Sequence, residues 1–263
     1  MNRKRSLPVT AGFFVATLVC TMGAAKAADR VVTLRPVPPV AKDIAAMPLI
    51  DAPANDAERR INAALPRFDA NVRKAAAECR KDGGKNSDWG RSVDATMRGP
   101  GFLSFTITDG SFCGGAHPNW AMQAIVYDLA TGKPVDWTSL LPSSLTGKLS
   151  LHTGMDDTRT VALSGRKLFD LYLKLYRPVA AGAKETDEDR ECRDAVNMAA
   201  SDGPPGMSAW LDAKEGGLAV QFDLPHVVRA CVQAVVIPAS TLKAEGAKPA
   251  LTDALEAAAR TAK

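Results

Sequence analysis

The first periodic segment of the chain lies between residues 55 and 82 and has the spacing of an amphipathic helix. Apolar side chains recur there at intervals of three and four residues. They are Ile61, Leu65, Phe68 and Val72. Asn55 followed by Glu58 has the form of a capping box, which predicts that the helix begins there. Pro66 predicts a kink in this helix or a break into two helices.

The period falls to two between residues 88 and 138, which predicts β-strands. Turn residues separate three segments that alternate or run apolar. The segments are 88–97, 102–110 and 120–129. We therefore predict an antiparallel meander. A hairpin over 208–224 and a closing strand over 230–242 are predicted further along the chain.

Helical spacing returns in 164–179 and 187–200. Together these elements predict the α+β class, an antiparallel β-sheet meander with packed helices, stapled by disulfides. We expect a single domain over residues 55–243. Residues 28–54 are rich in proline and predict an extended leader with a short strand at Val31–Leu34. Residues 244–263 show no apolar stripe and predict a flexible or helical tail.

The N-terminus has the three parts of a secretory signal peptide. Arg3, Lys4 and Arg5 precede an apolar run, and Ala25-Lys26-Ala27 forms a cleavage site, so we expect residues 1–27 to be removed. No later apolar run is long enough to span a bilayer, which predicts no stable membrane insertion after cleavage. We expect a periplasmic protein.

Cleavage would also change the charge of the protein. The chain has 33 Lys and Arg against 29 Asp and Glu, and the signal peptide carries four of the basic residues and no acid. The mature chain would therefore be close to neutral. This removes the main physical support for nucleic-acid binding, so we expect no nucleic-acid partner.

Four cysteines remain after the predicted cleavage, an even number that suggests disulfides in an oxidising compartment. Four cysteines allow three pairings, and their spacing does not choose among them. We favour Cys79–Cys113 and Cys192–Cys231, because each pair would then staple one half of the chain.

The stretch SFCGGAHPNW at 111–120 is the richest in candidate chemistry. Cys113 and His117 could form a nucleophile and base, part of a metal site, or a disulfide beside a turn. The pairing above favours the disulfide, so we name no catalytic residue and lean against an enzyme. The three histidines are scattered and lack the spacing of metal ligands, so we expect no metal site. The sequence also contains no phosphate loop or nucleotide fingerprint, so we expect no cofactor.

The same stretch predicts a ligand-contacting loop at the rim of the sheet. Gly114 and Gly115 would permit a positive φ and close backbone approach. A turn there would present His117, Asn119 and Trp120 as candidate ligand-binding residues, since functional groups cluster on loops held by rigid strands.

The residues at 128–132 are typical of a tight turn. Asp128 before the turn can accept backbone N–H bonds, and Gly132 can take the left-handed conformation. We therefore interpret Asp128, Thr131 and Gly132 as turn-forming residues.

Two segments together resemble a known family. FCGGAHPNWAMQAIVYDLATGKPVDWTSLL and GGLAVQFDLPHVVRACVQAVVIPASTL, within 112–242, are similar to the signature of the bacterial extracytoplasmic domain-of-unknown-function family 3298. They also resemble the C-terminal sensory domain of lysozyme-binding anti-sigma factors. The resemblance implies an envelope domain with no general catalytic activity, and binding of lysozyme in some members.

These observations predict an exported, non-catalytic binding module. Its partner would be a cell-envelope ligand, either wall glycan or a wall-directed protein such as lysozyme. An envelope hydrolase or deacetylase-like enzyme using His117 is the first alternative. A structural or assembly protein of the envelope is the second.

Overall fold

The computed structural model describes residues 30–177 and 184–262. The predicted signal peptide, residues 1–27, lies outside these residues. Within the described ranges, no helix is long and apolar enough to cross a membrane.

The proline-rich segment packs against the rest of the molecule. It forms a two-stranded antiparallel ladder, β1 (Leu34–Arg35) and β2 (Leu49–Ile50). Val32, Met47 and Ile50 are buried in the same cluster as helix and strand residues. The extended leader predicted from its prolines is therefore covered by tertiary contacts, because apolar side chains lie between the prolines and fill the core.

Two helices follow where the helical period predicted them. Helix α1 (Asp56–Ala64) begins at Asn55, whose side chain accepts a 2.9 Å hydrogen bond from the Glu58 backbone N–H. Helix α2 (Pro66–Gly83) has Pro66 in its first turn, so the proline separates two helices. The four periodic apolar residues of this segment are all buried.

The predicted meander is a three-stranded antiparallel sheet in the order β3-β4-β5. Its strands are β3 (Asp88–Arg98), β4 (Phe102–Phe112) and β5 (Asn119–Asp128). A register shift between Ala95 and Met97 bends β3. Side chains alternate between the two faces of this sheet, and both faces are covered.

A second antiparallel sheet has the order β10-β9-β8-β7-β6. Two short helices and two strands come first: α3 (Trp137–Leu140), α4 (Ser143–Thr146), β6 (Ser150–Thr153) and β7 (Arg159–Leu163). Two helices and three strands complete it: α5 (Arg166–Leu175), α6 (Asp187–Met198), β8 (Met207–Asp212), β9 (Gly217–Gln221) and β10 (Val235–Pro238). The α+β class with antiparallel sheets and packed helices is confirmed. The closing strand is shorter than predicted, because the chain turns into helix α7 (Ala239–Ala244) after Pro238.

The three-stranded sheet lies between two layers. On one face, Leu103, Phe105 and Ile107 share a core with α1, α2 and the N-terminal ladder. On the other face, Met122 and Val126 belong to the core of the five-stranded sheet. The two sheets are also joined by a 2.9 Å backbone hydrogen bond from Ala213 to Thr96.

The C-terminal segment forms helix α8 (Pro249–Thr261), which is packed on the core. Leu251 and Leu255 are fully buried, and Ala254 and Ala258 complete the inward face. The sequence predicted a flexible or helical tail without an apolar stripe; the segment is helical, and it does carry a stripe. The stripe is built largely from alanines, whose small side chains give a weak periodic signal although they allow close packing.

Candidate functional site

Two disulfides hold two loops, one of which carries the predicted rim residue His117. Cys79 at the end of α2 is joined to Cys113 after β4, and Cys192 in α6 is joined to Cys231. These are the two pairs favoured from the sequence. Cys231 ends a 3-10 turn over His226–Cys231, so each disulfide holds one loop in place.

The two loops meet through a pair of histidines. His117 and His226 come from distant parts of the chain, yet their ring centroids are 5.0 Å apart with an angle of 31° between the ring planes. Both residues are exposed. His226 was not predicted as a site residue, and the structure adds it to His117.

A tryptophan and an arginine extend this surface. The guanidinium of Arg229 lies 5.3 Å from the ring centroid of Trp120, within the range of a cation–π contact. It also donates a hydrogen bond to the Trp120 backbone carbonyl. Asn119 is exposed at the start of β5. We call His117, Asn119, Trp120, His226 and Arg229 the histidine patch.

The two glycines of the loop differ in their roles. Gly114 has a φ of +82°, and a Cβ built on it would lie 2.9 Å from the Gly83 Cα. A side chain there would therefore strain the backbone and separate the loop from α2. Gly115 lacks a left-handed φ and has open space where a Cβ would project, so the close approach predicted for both residues holds only at Gly114.

The chemistry available at the patch depends on the state of Cys113 and on the carboxylates near its histidines. Cys113 is held in a disulfide and supplies no thiolate. In the part of the chain that the structure describes, His152 is the one histidine with a carboxylate oxygen within 4.0 Å, at 3.8 Å from Asp223. Residues 30–177 and 184–262 also hold no group of three His, Cys, Asp or Glu side chains placed to share a metal ion.

The turn after β5 is organised by its aspartate. The Asp128 Oδ1 accepts the backbone N–H groups of Ala130 at 2.7 Å and Thr131 at 3.0 Å. Gly132 has a φ of +68°, and a Cβ on it would lie 2.3 Å from the Ala57 carbonyl oxygen. The turn is therefore packed directly on helix α1.

A buried charge cluster lies inside the core and was not predicted from the sequence. Arg91 donates two hydrogen bonds to Asp109, at 2.8 and 2.7 Å, and one to Asp156 at 2.7 Å. Its Nη1 donates to the Phe68 carbonyl at 3.2 Å, and the Trp89 Nε1 donates to Asp109 at 3.1 Å. The side chains of Arg91 and both aspartates are essentially inaccessible to water.

Further donors hold Asp156. Gln123 donates to its Oδ1 at 3.0 Å, and Thr158 donates through its backbone N–H at 3.0 Å and its hydroxyl at 2.9 Å. Burial alone would raise the pKa of Asp156, but the hydrogen bonds from Arg91 and Gln123 outweigh it, and the pKa lies below its usual value. The carboxylate therefore stays ionised inside the core.

The alternation along β3 and β4 contained a signal for this cluster. Arg91 lies two residues after the buried Trp89, and Asp109 lies two residues after the buried Ile107. Since residues two apart share a face of a strand, both charges occupy inward positions. Two opposite charges at inward positions of adjacent strands would therefore have predicted the buried ion pair.

Comparisons with solved structures give six matching chains, two of which are described below. No family model matches the chain, and no curated protein matches it. A solved structure from Bacteroides fragilis is 16% identical, with a TM-score of 0.42, and covers 79% of this chain and 74% of its own. A second structure, from Pseudomonas aeruginosa, is 14% identical, with a TM-score of 0.45, and covers 73% of this chain and 80% of its own.

At such TM-scores these likenesses carry no information about a ligand or an activity. The resemblance to lysozyme-binding anti-sigma factors stays a prediction. Both solved structures are described as members of the DUF3298 family, which is the family that the sequence resembles.

Proposed function

We propose that the protein is an exported, non-catalytic binding module for a cell-envelope ligand, and that the histidine patch is its contact surface for wall glycan. The observation that carries this proposal is the meeting of His117 and His226 at 5.0 Å on two exposed loops. The disulfides that hold these loops are typical of proteins in oxidising compartments, which supports export.

The chemistry of the patch suits a sugar carrying a carboxylate. The exposed rings of His117 and His226 offer apolar contact, and their ring nitrogens offer hydrogen bonds at the edge. Arg229 can pair with a carboxylate such as those of muramyl residues. Because both loops are fixed by disulfides, little ordering cost is added when a ligand binds.

The absence of a thiol and of a close carboxylate at His117, among the described residues, supports a binding role over hydrolysis. Neither the hydrolase nor the assembly alternative has a specific contact in its favour. The binding assays below distinguish wall glycan from a protein ligand such as lysozyme.

The test compares binding by the oxidised protein, produced from the full chain, with and without the patch histidines. Purified peptidoglycan sacculi are used in co-sedimentation, and soluble muropeptides and lysozyme in thermal-shift assays. The double variant His117→Ala/His226→Ala should bind glycan at least about ten times more weakly, a loss of about 1.4 kcal/mol of binding free energy. Its Tm should be unchanged, because both side chains are exposed.

The matched control is Lys214→Ala/Glu215→Ala, two exposed residues in the β8–β9 turn whose removal leaves the net charge unchanged. It should bind like the natural chain. Glycan binding that survives in the histidine variant would place the contact elsewhere. If the protein bound lysozyme but not glycan, glycan would be the wrong ligand and lysozyme the right one. If it bound neither, the proposal would be overturned.

A further inference from the structure

A groove beside the turn after β5, which Gly132 also lines, contains four cationic side chains. It consists of two adjoining depressions of about 260 and 310 Å³, which share Arg67, Tyr127 and Pro134 as lining residues. Helices α1 and α2 form one wall. The turn after β5 and the loop before β7 form the other.

The cations come from both walls. Arg60 and Arg67 lie on the helices, Lys133 lies in the turn, and Arg159 lies at the start of β7. Among residues 30–177 and 184–262, none of these four cationic side chains forms an ion pair within 4.0 Å. Asp157 is the one carboxylate among the lining residues. The groove therefore has an excess of positive charge.

Tyr127 is a second and independent feature of the groove. The residue is only 2% exposed, and it lines both depressions. Its hydroxyl makes no hydrogen bond with any residue that the structure describes. Burial raises the pKa of Tyr127 to about 12, with Arg67 acting in the opposite direction. The phenol therefore stays neutral near pH 7 and can donate a hydrogen bond close to the Arg67 guanidinium.

The walls of the groove are held rigidly. The turn that carries Lys133 is packed on α1 at Gly132, and Arg60 donates a hydrogen bond to the Thr131 carbonyl across the groove. The Leu129 backbone N–H donates to Gly101 at 2.9 Å. A ligand would therefore meet a preformed surface.

We propose that these residues, Arg60, Arg67, Tyr127, Lys133 and Arg159, form an arginine groove that binds an oligosaccharide carrying carboxylates. Hydrogen-bond donors dominate the lining, since guanidinium and ammonium groups donate and do not accept. Carboxylates, ring oxygens and hydroxyls of an acidic glycan supply the matching acceptors. An acidic peptide would bring backbone N–H groups for which the groove offers few acceptors.

The arginine groove is separate from the histidine patch. Trp120 and Tyr127 lie on the same strand, β5, and seven residues of strand span roughly 23 Å. The inference therefore does not rest on the proposed function. The variant His117→Ala/His226→Ala should bind oligogalacturonate as the natural chain does, whereas its loss of binding to sacculi is the readout for the histidine patch.

The experiment measures the affinity of the oxidised protein for oligogalacturonate at low and moderate salt by titration calorimetry. Arg67→Gln/Arg159→Gln should bind at least ten times more weakly and with a smaller dependence on salt. Tyr127→Phe should bind about five times more weakly at an unchanged Tm, because the hydroxyl has no partner within the described residues. A neutral oligosaccharide of glucose should not bind.

The matched control is Arg80→Gln/Lys81→Gln, which removes the same charge from the far end of α2, roughly 20 Å from Arg67. It should change the affinity less than twofold. An equal loss in this control would show nonspecific attraction and overturn the proposal. No binding of oligogalacturonate, equal binding of the neutral sugar, or tighter binding of poly-glutamate would also overturn it.

Discussion

Arg91 and Asp156 are 65 residues apart in the chain, and they form a 2.7 Å hydrogen-bonded ion pair inside the core. The same guanidinium also holds Asp109. One cation therefore compensates two carboxylates that have lost their water, and it connects strands β3 and β4 to the loop before β7.

Removal of Arg91 should be among the costlier single changes in this protein. Arg91→Met would leave two buried carboxylates facing each other without a cation, and breaking a buried pair in this way costs about 3–5 kcal/mol. Urea unfolding at pH 7 measures the loss. Arg98→Met makes the same substitution at an exposed position of the same strand and should change the free energy of unfolding by less than about 0.5 kcal/mol. Equal effects of the two variants would contradict the role of the cluster.

The lowered pKa of Asp156 predicts how its contribution depends on pH. A carboxyl whose pKa is lower in the folded state than in the unfolded chain stabilises the fold above its usual pKa of 3.8. That stabilisation is lost as the pH falls through the folded-state pKa. Asp156→Asn should therefore cost about 2 kcal/mol at pH 7, and the difference from the natural chain should shrink below about pH 4.

Urea unfolding from pH 7 to pH 2.5, in roughly half-unit steps, checks this window. Asp69 acts with the opposite sign, because burial raises its pKa and its ionised form destabilises the fold. Asp69 is present in both proteins, so the difference between them isolates Asp156. A difference that stays constant down to the lowest pH would contradict the prediction.

Local patterns predicted the elements that are long and regular. Helices α1, α2, α5 and α6, the meander and the β8–β9 hairpin all follow from their periods. Strands β6 and β7 were missed because they are short, and His152, Thr153 and Arg159 interrupt their apolar residues. Their pairing depends on neighbours that lie far away in the chain.

The sequence pointed to three of the five residues of the histidine patch. His117, Asn119 and Trp120 stood out because they follow a glycine turn before a strand. His226 and Arg229 carry no local signal, since they lie in a short 3-10 turn and reach the site through tertiary packing. The buried Arg91 cluster joins separate elements in the same way, and single-sequence periodicity does not say which inward charges meet.

The two loop glycines provide a matched test of backbone strain. Gly114→Ala should destabilise the protein by about 1–3 kcal/mol, because alanine is strained at a positive φ and its Cβ would press on Gly83. Gly115→Ala should change stability by less than about 0.5 kcal/mol, since open space surrounds that position. Thermal unfolding of both variants decides the point, and the reverse order of stability would refute this loop geometry.

The two disulfides should contribute similarly to stability. They join residues 34 and 39 positions apart, and the chain-entropy model gives about 4 kcal/mol for loops of this length. Cys79→Ala/Cys113→Ala and Cys192→Ala/Cys231→Ala should therefore lose comparable free energies of unfolding in urea. The natural chain unfolded under reducing conditions is the control and should lose more than either variant. A loss below about 1 kcal/mol in one variant would show that its loop stays ordered without the bond.

Helix α8 belongs to the core if the contacts of its leucines stabilise the fold. Leu255 is fully buried, and Leu255→Ala should cost about 2–5 kcal/mol through lost burial and the cavity that remains. Asp253→Ala lies on the exposed side of the same helix and should cost less than about 0.5 kcal/mol. Urea unfolding monitored by tryptophan fluorescence compares the two, because Trp210 lies in the same cluster as Leu255. If neither substitution changed the midpoint, the C-terminal segment would be a detached tail, and the flexible alternative predicted from its composition would be the correct one.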